Sequence, residues 1–373
     1  MPVSRRSFTG LLLGGTLVSR SSRSQTLHGS TRQTIEFSFT SGKTYTYPFT
    51  EVDLDVIFEG PGGRHVQVPA FWTGGQQWRV RFSAPEAGVW KWQTSCNDTA
   101  NSDLHGRKGT LDVAAYVGAH PLYRHGPIRI AADRRHFEHE DGTPFFWLGD
   151  TWWMGLCSRM SWPEDFERLT ADRVRKGFTV VQIVAGLYPD MPQFDPRGAN
   201  EAGYPWESGY TQINPAYFDM ADLRIRHLVG NGIVPCIVGC WGYYLPILGA
   251  EKMKRHWRYL VARWSALPVI WCLAGEGGMP YYLSKTPDQD STRQKEGWTE
   301  LARYVRGIDP GHHPITIHPS SSARTTVLDA NAIDFDMLQT GHGDRLSIPN
   351  TVRRVRESYG RAVHAGTGRR GLL

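Results

Sequence analysis

Hydrophobic positions along this chain follow two rhythms. Between Thr34 and Val117 they alternate with polar ones over short runs, as in Ile35-Glu36-Phe37-Ser38-Phe39, Asp53–Phe58 and Trp78-Arg79-Val80-Arg81-Phe82. Gly60-Pro61-Gly62-Gly63, Gly74-Gly75 and Pro85-Glu86-Ala87-Gly88 punctuate them, and Gly88-Val89-Trp90-Lys91-Trp92 opens a further run. A period of two with closely spaced turn signals predicts a small antiparallel β-sandwich over 34–117. Residues 26–33 are polar and read as a linker.

From about residue 125 the apolar runs become continuous and alternate with helical patterns. Asp141-Gly142 predicts a hairpin turn. Phe145–Gly149 reads as the first buried strand, followed by the helix start Ser161-Trp162-Pro163-Glu164, a capping box with an early proline. Phe178–Val184 is the second strand, Asn214-Pro215 starts a helix, and Ile233–Gly239 is the third strand. A helix over Ala250–Trp264 leads to a fourth strand in Val269–Ala274. Another helix lies in Asp288–Gly307, with strands at Pro314–His318 and Asp336–Gln339, a helix at Pro349–Tyr359 and a weak strand at Arg361–His364. Strands buried on both faces and alternating with helices predict a parallel sheet. Neither a G-x-G-x-x-G after the first strand nor a P-loop is present, and polar or aromatic residues crowd every strand end. A (β/α)8 barrel over 125–373 fits this layout better than an open sheet.

The fourth strand carries the strongest functional signal. Leu267-Pro268-Val269-Ile270-Trp271-Cys272-Leu273-Ala274-Gly275-Glu276-Gly277-Gly278 places a carboxylate between glycines where a buried strand ends. In such barrels the C-terminal strand ends form the floor of the site. The other strand ends supply Asp150, Trp152 and Trp153, Trp241 with Tyr243, His318, and Gln339 with His342. A carboxylic acid among aromatic rings and hydrogen-bonding side chains suits glycosidic bond cleavage, where one carboxyl protonates the leaving oxygen and a second attacks the sugar or activates water. Glu276 is the expected catalytic acid, and Asp150, Trp152, Trp153, Trp241, His318, Gln339 and His342 are expected substrate contacts. Two roles fit Asp150, capping a turn before Trp152 or binding a sugar hydroxyl. The tryptophans fit either the core or a stacking platform. The pair His312-His313 sits in a Gly-Pro-rich turn and reads as solvated.

Composition narrows the function classes. Tryptophan is abundant, 14 in 373 residues, which suits sugar stacking as well as a large core. Ser4-Arg5-Arg6-Ser7-Phe8 followed by apolar Leu11–Val18 reads as a twin-arginine signal over residues 1–25, implying a periplasmic or extracellular protein with no membrane anchor once the signal is removed. That leader holds four arginines (Arg5, Arg6, Arg20, Arg23) and no acid, so of 42 basic and 36 acidic residues the rest of the chain keeps 38 and 36. A near-neutral chain gives no electrostatic case for nucleic acid. Five cysteines (Cys96, Cys157, Cys236, Cys240, Cys272) form no C-x-x-C pair, and Cys236 and Cys272 fall in apolar strands as core residues. Nothing in the pattern calls for a metal or an organic cofactor.

Three stretches, Phe145–Trp153, Trp271–Glu276 and Phe335-Asp336-Met337-Leu338-Gln339-Thr340-Gly341-His342, resemble the apiosidase-like glycoside hydrolases. Residues 34–115 resemble the β-sandwich that often precedes that barrel. The resemblance implies a (β/α)8 enzyme acting on a plant-type or other complex carbohydrate, with Glu276 as general acid/base and a partner carboxylate at the end of a seventh strand. Here the chain departs from the pattern. No acid follows Glu357, and Tyr359–Leu373 lacks the expected strand and closing helix, so the expectation is a barrel that is C-terminally incomplete near strand seven, through truncation or a shifted frame. Two other readings stand beside the enzyme. One is a carbohydrate-binding protein without catalysis; the other draws the second carboxylate from the long loop after the second strand, at Asp190, Asp195 or Glu207.

Overall fold

The computed structural model describes residues 26–364 and 371–372. The twin-arginine stretch and the segment 365–370 lie outside the described residues. The N-terminal part folds as two facing sheets. One has the strand order Thr26–Ser30, Lys108–Ala114, Gly88–Cys96, Leu54–Glu59, His65–Pro69, and the other has Thr34–Thr40, Gln77–Ser83, Phe71–Trp72. Neighbours run antiparallel except Thr26–Ser30, which lies parallel to Lys108–Ala114. The polar start expected as a linker is therefore an edge strand, its backbone paired residue for residue from Thr26↔Thr110 to Ser30↔Ala114. Inward side chains fill the space between the sheets. Phe58 and Phe82 stack at 4.0 Å, and Trp90 meets Phe82 edge-on at 5.1 Å.

The hairpin Phe137–His139/Pro144–Phe145 closes at Asp141-Gly142. It takes Phe145 out of the run expected to form the first parallel strand, and Phe146 stays exposed. That strand, β1, instead spans Gly149–Trp152. Helix α1 (Glu164–Arg175) follows, and its capping bond closes on Asp165 rather than Glu164, through Ser161 Oγ donating to Asp165 Oδ2 at 2.7 Å. Next come β2 (Val180–Val184), α2 (Pro215–Gly230), β3 (Val234–Val238), α3 (Ala250–Trp264), β4 (Ile270–Cys272), α4 (Pro287–Ile308) and β5 (Ile315–Thr316). Strands β1 to β5 pair in sequence order, all parallel. Strand β6 (Phe335–Asp336) follows, joined to β5 by Thr316 Oγ1 donating to the Phe335 carbonyl at 3.0 Å. Helix α5 covers Ser347–His364, so the backbone is helical where Arg361–His364 was expected to form a strand. The described residues thus form a mixed α/β fold with a sheet of five parallel strands and a separate parallel pair of β6 with Gly371–Leu372, a strand where Tyr359–Leu373 was expected to lack one; closure into a barrel is not shown among them.

The outer face of the three-stranded sheet is not solvated. It packs on α3, and this explains the one break in its alternation. Arg81 lies on the face expected to be polar, yet it is buried. Its guanidinium donates to Asp222 Oδ2 of α2 at 2.5 Å and to Glu36 Oε2 at 2.6 Å, and to the Arg263 carbonyl at 2.8 Å. Arg263 of α3 is fully buried and reaches the same Asp222 oxygen at 3.0 Å and Asp219 at 2.7 Å. The Trp264 indole donates to Asp222 Oδ1 at 2.7 Å. Burial alone would raise the Asp222 carboxyl, but the two guanidinium groups hold it below the usual 3.8. Tyr259 adds a bond from its hydroxyl to the Trp72 carbonyl at 3.0 Å.

All five cysteines are buried and unbridged. The turn at His312-His313 corrects another expectation. His313 is buried, not solvated, because Asp309 accepts from its ring and from its backbone amide at 2.7 Å. Among the described residues no helix is long and apolar enough to cross a membrane.

Removing the charge on Asp222 leaves two guanidinium groups facing an uncharged partner in a buried site. Asp222→Asn is expected to lower the unfolding free energy by about 3–5 kcal/mol in urea titrations, whereas Asp219→Asn, at a half-exposed carboxylate, costs under about 1 kcal/mol. A second expectation concerns acid. His256 is fully buried, bonded to the Gly239 carbonyl at 2.8 Å, and burial lowers its pKa from 6.5 to about 4. The unfolded chain takes up this proton first, so stability is full above 6.5 and is lost as pH falls towards 4, with the Asp222 contribution following below 3.8. Urea midpoints measured across that window check it; a midpoint flat in pH contradicts it.

Candidate active site

Strand β4 ends at Cys272, but its pairing continues for several residues on both sides. The Gly275 amide donates to the Cys240 carbonyl at 2.9 Å, and the Gly242 amide to the Gly275 carbonyl at 2.7 Å. On the other flank the His318 amide donates to the Ala274 carbonyl at 2.9 Å, and the Gly277 amide to the His318 carbonyl at 3.0 Å. Glu276 is therefore presented between two ladders. Its φ is +42°, a left-handed conformation that a glutamate adopts only when its surroundings enforce it. The glycines on either side of the crossing supply the room. A Cβ on Gly242 would lie 2.5 Å from the Glu276 carbonyl oxygen, and one on Gly275 would lie 2.2 Å from the Trp241 ring.

The Glu276 carboxylate is half-buried and makes no ion pair among the described residues. Its Oε1 accepts from Gln339 Nε2 at 2.9 Å. The same amide nitrogen lies 3.2 Å from His342 Nε2, so its two hydrogens serve both partners and His342 acts as acceptor. The Glu276 amide points at His318 Nδ1, 3.4 Å away. Burial lowers the His318 pKa from 6.5 to about 4, so this ring is neutral and, accepting at Nδ1, carries its proton on Nε2. Trp153 meets Trp241 at 5.6 Å and His318 at 5.3 Å, both edge to face. The Trp241 indole nitrogen is buried without a partner.

Of the residues expected from sequence, Glu276, Trp153, Trp241, His318, Gln339 and His342 are thus brought together. Asp150 and Trp152 are not. They face helix α1, on the opposite side of β1 from Trp153. Trp152 packs edge-on against Phe166 at 5.3 Å and donates to Asp150 Oδ2 at 2.9 Å. Arg173 reaches that oxygen at 2.5 Å, and the Thr151 amide donates to Oδ1 at 2.8 Å. Alternation along a strand is the reason: residues 150 and 152 share one face and 153 leaves the strand on the other.

Sequence reasoning missed three residues. Gln182 interrupts the apolar run of β2 and reaches towards Met337 with its carbonyl oxygen buried and unpartnered; a polar residue inside a buried strand was the signal. Tyr281 and Tyr282 follow soon after Glu276 and pack on Tyr243 at 5.3 and 5.8 Å. No group of three or more metal-ligating side chains occurs among the described residues.

The family model for the apiosidase-like catalytic domain matches residues 131–366, and a domain of unknown function (DUF5060) matches residues 31–97. No protein of curated function matches the chain. Among solved structures, a candidate glycoside hydrolase from Bacteroides vulgatus is 22% identical with a TM-score of 0.63, covering 83% of this chain and 59% of its own. A family 5 glycoside hydrolase from the same organism is 21% identical with a TM-score of 0.48, covering 68% of this chain and 53% of its own. The chain thus spans less than two thirds of either neighbour's length. The first likeness supports the fold, and the family match extends over most of the chain, through every element that builds the Glu276 cluster: the chain belongs to the apiosidase-like family.

Proposed function

We propose that this protein is an exported glycoside hydrolase of (β/α)8 type, delivered by the twin-arginine route and acting on a plant-type or other complex carbohydrate. The observation that carries the reading is Glu276 itself. It is a carboxylate at the C-terminal end of a parallel strand, without a cation, hydrogen-bonded by a neutral amide and walled by Trp153, Trp241 and His318. A salt-bridged carboxylate is held ionised and makes a poor proton donor; one held by an amide keeps that capacity.

In this reading a sugar ring stacks near Trp153 and Trp241, and Glu276 protonates the glycosidic oxygen as the bond breaks. Gln339 fixes the orientation of the carboxyl, and His342 in turn fixes Gln339. Neutral His318 places no positive charge beside Glu276. A second carboxylate completes the reaction at about 5 Å for retention or ~6.5–9.5 Å for inversion.

A second reading, binding without catalysis, is favoured by one observation: among the described residues no other carboxylate hydrogen-bonds to Gln339, His342 or His318 around Glu276. Purified protein assayed on a panel of aryl glycosides separates the two. Glu276→Gln is expected to lower kcat by about 10²–10⁴-fold with little change in KM. Equal turnover by the two proteins removes Glu276 from the chemistry, and an inactive parent that still binds the sugars supports the binding reading. Gln339→Leu tests the orienting bond. It is expected to reduce kcat about tenfold, the scale of one hydrogen bond to a charged group, and to leave the urea midpoint near that of the parent.

A further inference from the structure

Asp190 lies in the long loop after β2, and its setting differs from that of the other acids there. Asp195 is clamped by Arg197 through two bonds of 2.9 and 2.8 Å. Glu201 is paired with Arg224 at 2.7 Å. The Glu207 carboxylate accepts from Gln212 at 3.5 Å. Asp190 is exposed, with φ at +57°, and its Oδ1 accepts from the Tyr282 hydroxyl at 2.5 Å. No ion pair engages it among the described residues, and its Oδ2 is left unoccupied there.

Two lines connect Asp190 to the Glu276 site. The first is Tyr282. It belongs to the segment that follows Glu276, packs on buried Tyr243 at 5.8 Å, and its hydroxyl feels the charge of both Asp190 and Glu276. The second is a cleft of about 910 Å³ between β1 and α1, lined by Asp150, Trp152 and Arg173, which Asp190 and Pro189 share with Trp153. Trp153 is the ring that touches His318 and Trp241 beside Glu276. The Asp190–Tyr282 bond therefore joins the β2 loop to the loop after β4, and Asp190 lines one cleft with Trp153.

We propose that Asp190, positioned by Tyr282, is a specificity-determining contact for a sugar hydroxyl of the ring seated on Trp153. This rests on the reading of Glu276 as the acid of a carbohydrate site. An ionised carboxylate accepts hydroxyl donors more strongly than a neutral acceptor does. The Tyr282 bond occupies one oxygen and fixes the rotamer, which leaves the other to the ligand. Exposed in its loop, Asp190 acts on binding rather than on the bond being broken.

The test uses the full chain with the aryl glycoside it cleaves fastest in the panel. Asp190→Asn is expected to raise KM by about ten- to a hundredfold with kcat within about threefold of the parent. The loss is expected to shrink on the substrate analogue that lacks the recognised hydroxyl, taken from a deoxy series. Tyr282→Phe keeps the ring and frees the carboxylate, so a smaller rise in KM in the same direction is expected. An unchanged KM in Asp190→Asn overturns the proposal while leaving Glu276 untouched. A fall in kcat of about a hundredfold or more, restored by added azide in Asp190→Gly, also overturns it, because Asp190 is then the missing nucleophile. Turnover that survives Glu276→Gln overturns the underlying reading, and this proposal with it.

Discussion

One buried carboxylate holds the two halves of this protein together. Asp222 sits between the guanidinium groups of Arg81 and Arg263 with the Trp264 indole on its other oxygen. Each charge there has lost its water, and each is tolerable only because the others are present. Arg81 comes from the sandwich, Asp222 from α2 and Arg263 from α3. The network therefore fixes the sandwich, two helices and, through the short link after Trp264, the start of the run that delivers Glu276. Helix α3 is gripped on its outer side as firmly as most helices are on their inner one. Met253, Trp257, Leu260, Val261 and Trp264 are all fully buried.

At the other end of β4 the constraint is steric rather than electrostatic. Glu276 keeps a backbone conformation that costs energy, and it does so because the ladders to residues 240–242 and to His318 leave no alternative. Such strain is tolerated where the surrounding structure overdetermines it. The consequence is a carboxylate whose position is set by backbone pairing and whose orientation is set by one amide. Nothing charged is needed to hold it.

Much of this could be read from the chain. The continuous apolar runs ending in polar residues located the parallel strands, and the glycine-flanked Glu276 is the carboxylate around which the candidate site gathers. Helix α3 follows the expected limits, Ala250–Trp264. What escaped the pattern has physical causes. Asp150 and Trp152 looked like strand-end residues because the hairpin absorbed Phe145 and shifted β1 by four positions. Once inside the strand they alternate away from the site. Arg81 looked solvated because alternation shows which face a residue takes but not what covers that face. His313 looked exposed because its turn is rich in glycine and proline, yet a single aspartate four residues earlier buries it. The partnership of Asp190 with Tyr282 joins residues 92 positions apart, and no local pattern encodes such a bond.

The outer face of the three-stranded sheet has a meaning for how this protein can be rearranged by evolution. A unit that meets its neighbour through water-tolerant side chains can be gained or lost by gene fusion. Here the seam is made of desolvated charge and aromatic rings, with Arg81 and Arg263 both lying over Phe71 at 4.9 and 4.7 Å. A lineage that shed the sandwich would lose Arg81 and would have to replace both Asp222 and Arg263 of its own helices in the same step. The seam thus makes co-inheritance of the two halves the path of least resistance, and a separately circulating catalytic half is expected to carry a hydrophobic pair where Asp222 and Arg263 now stand.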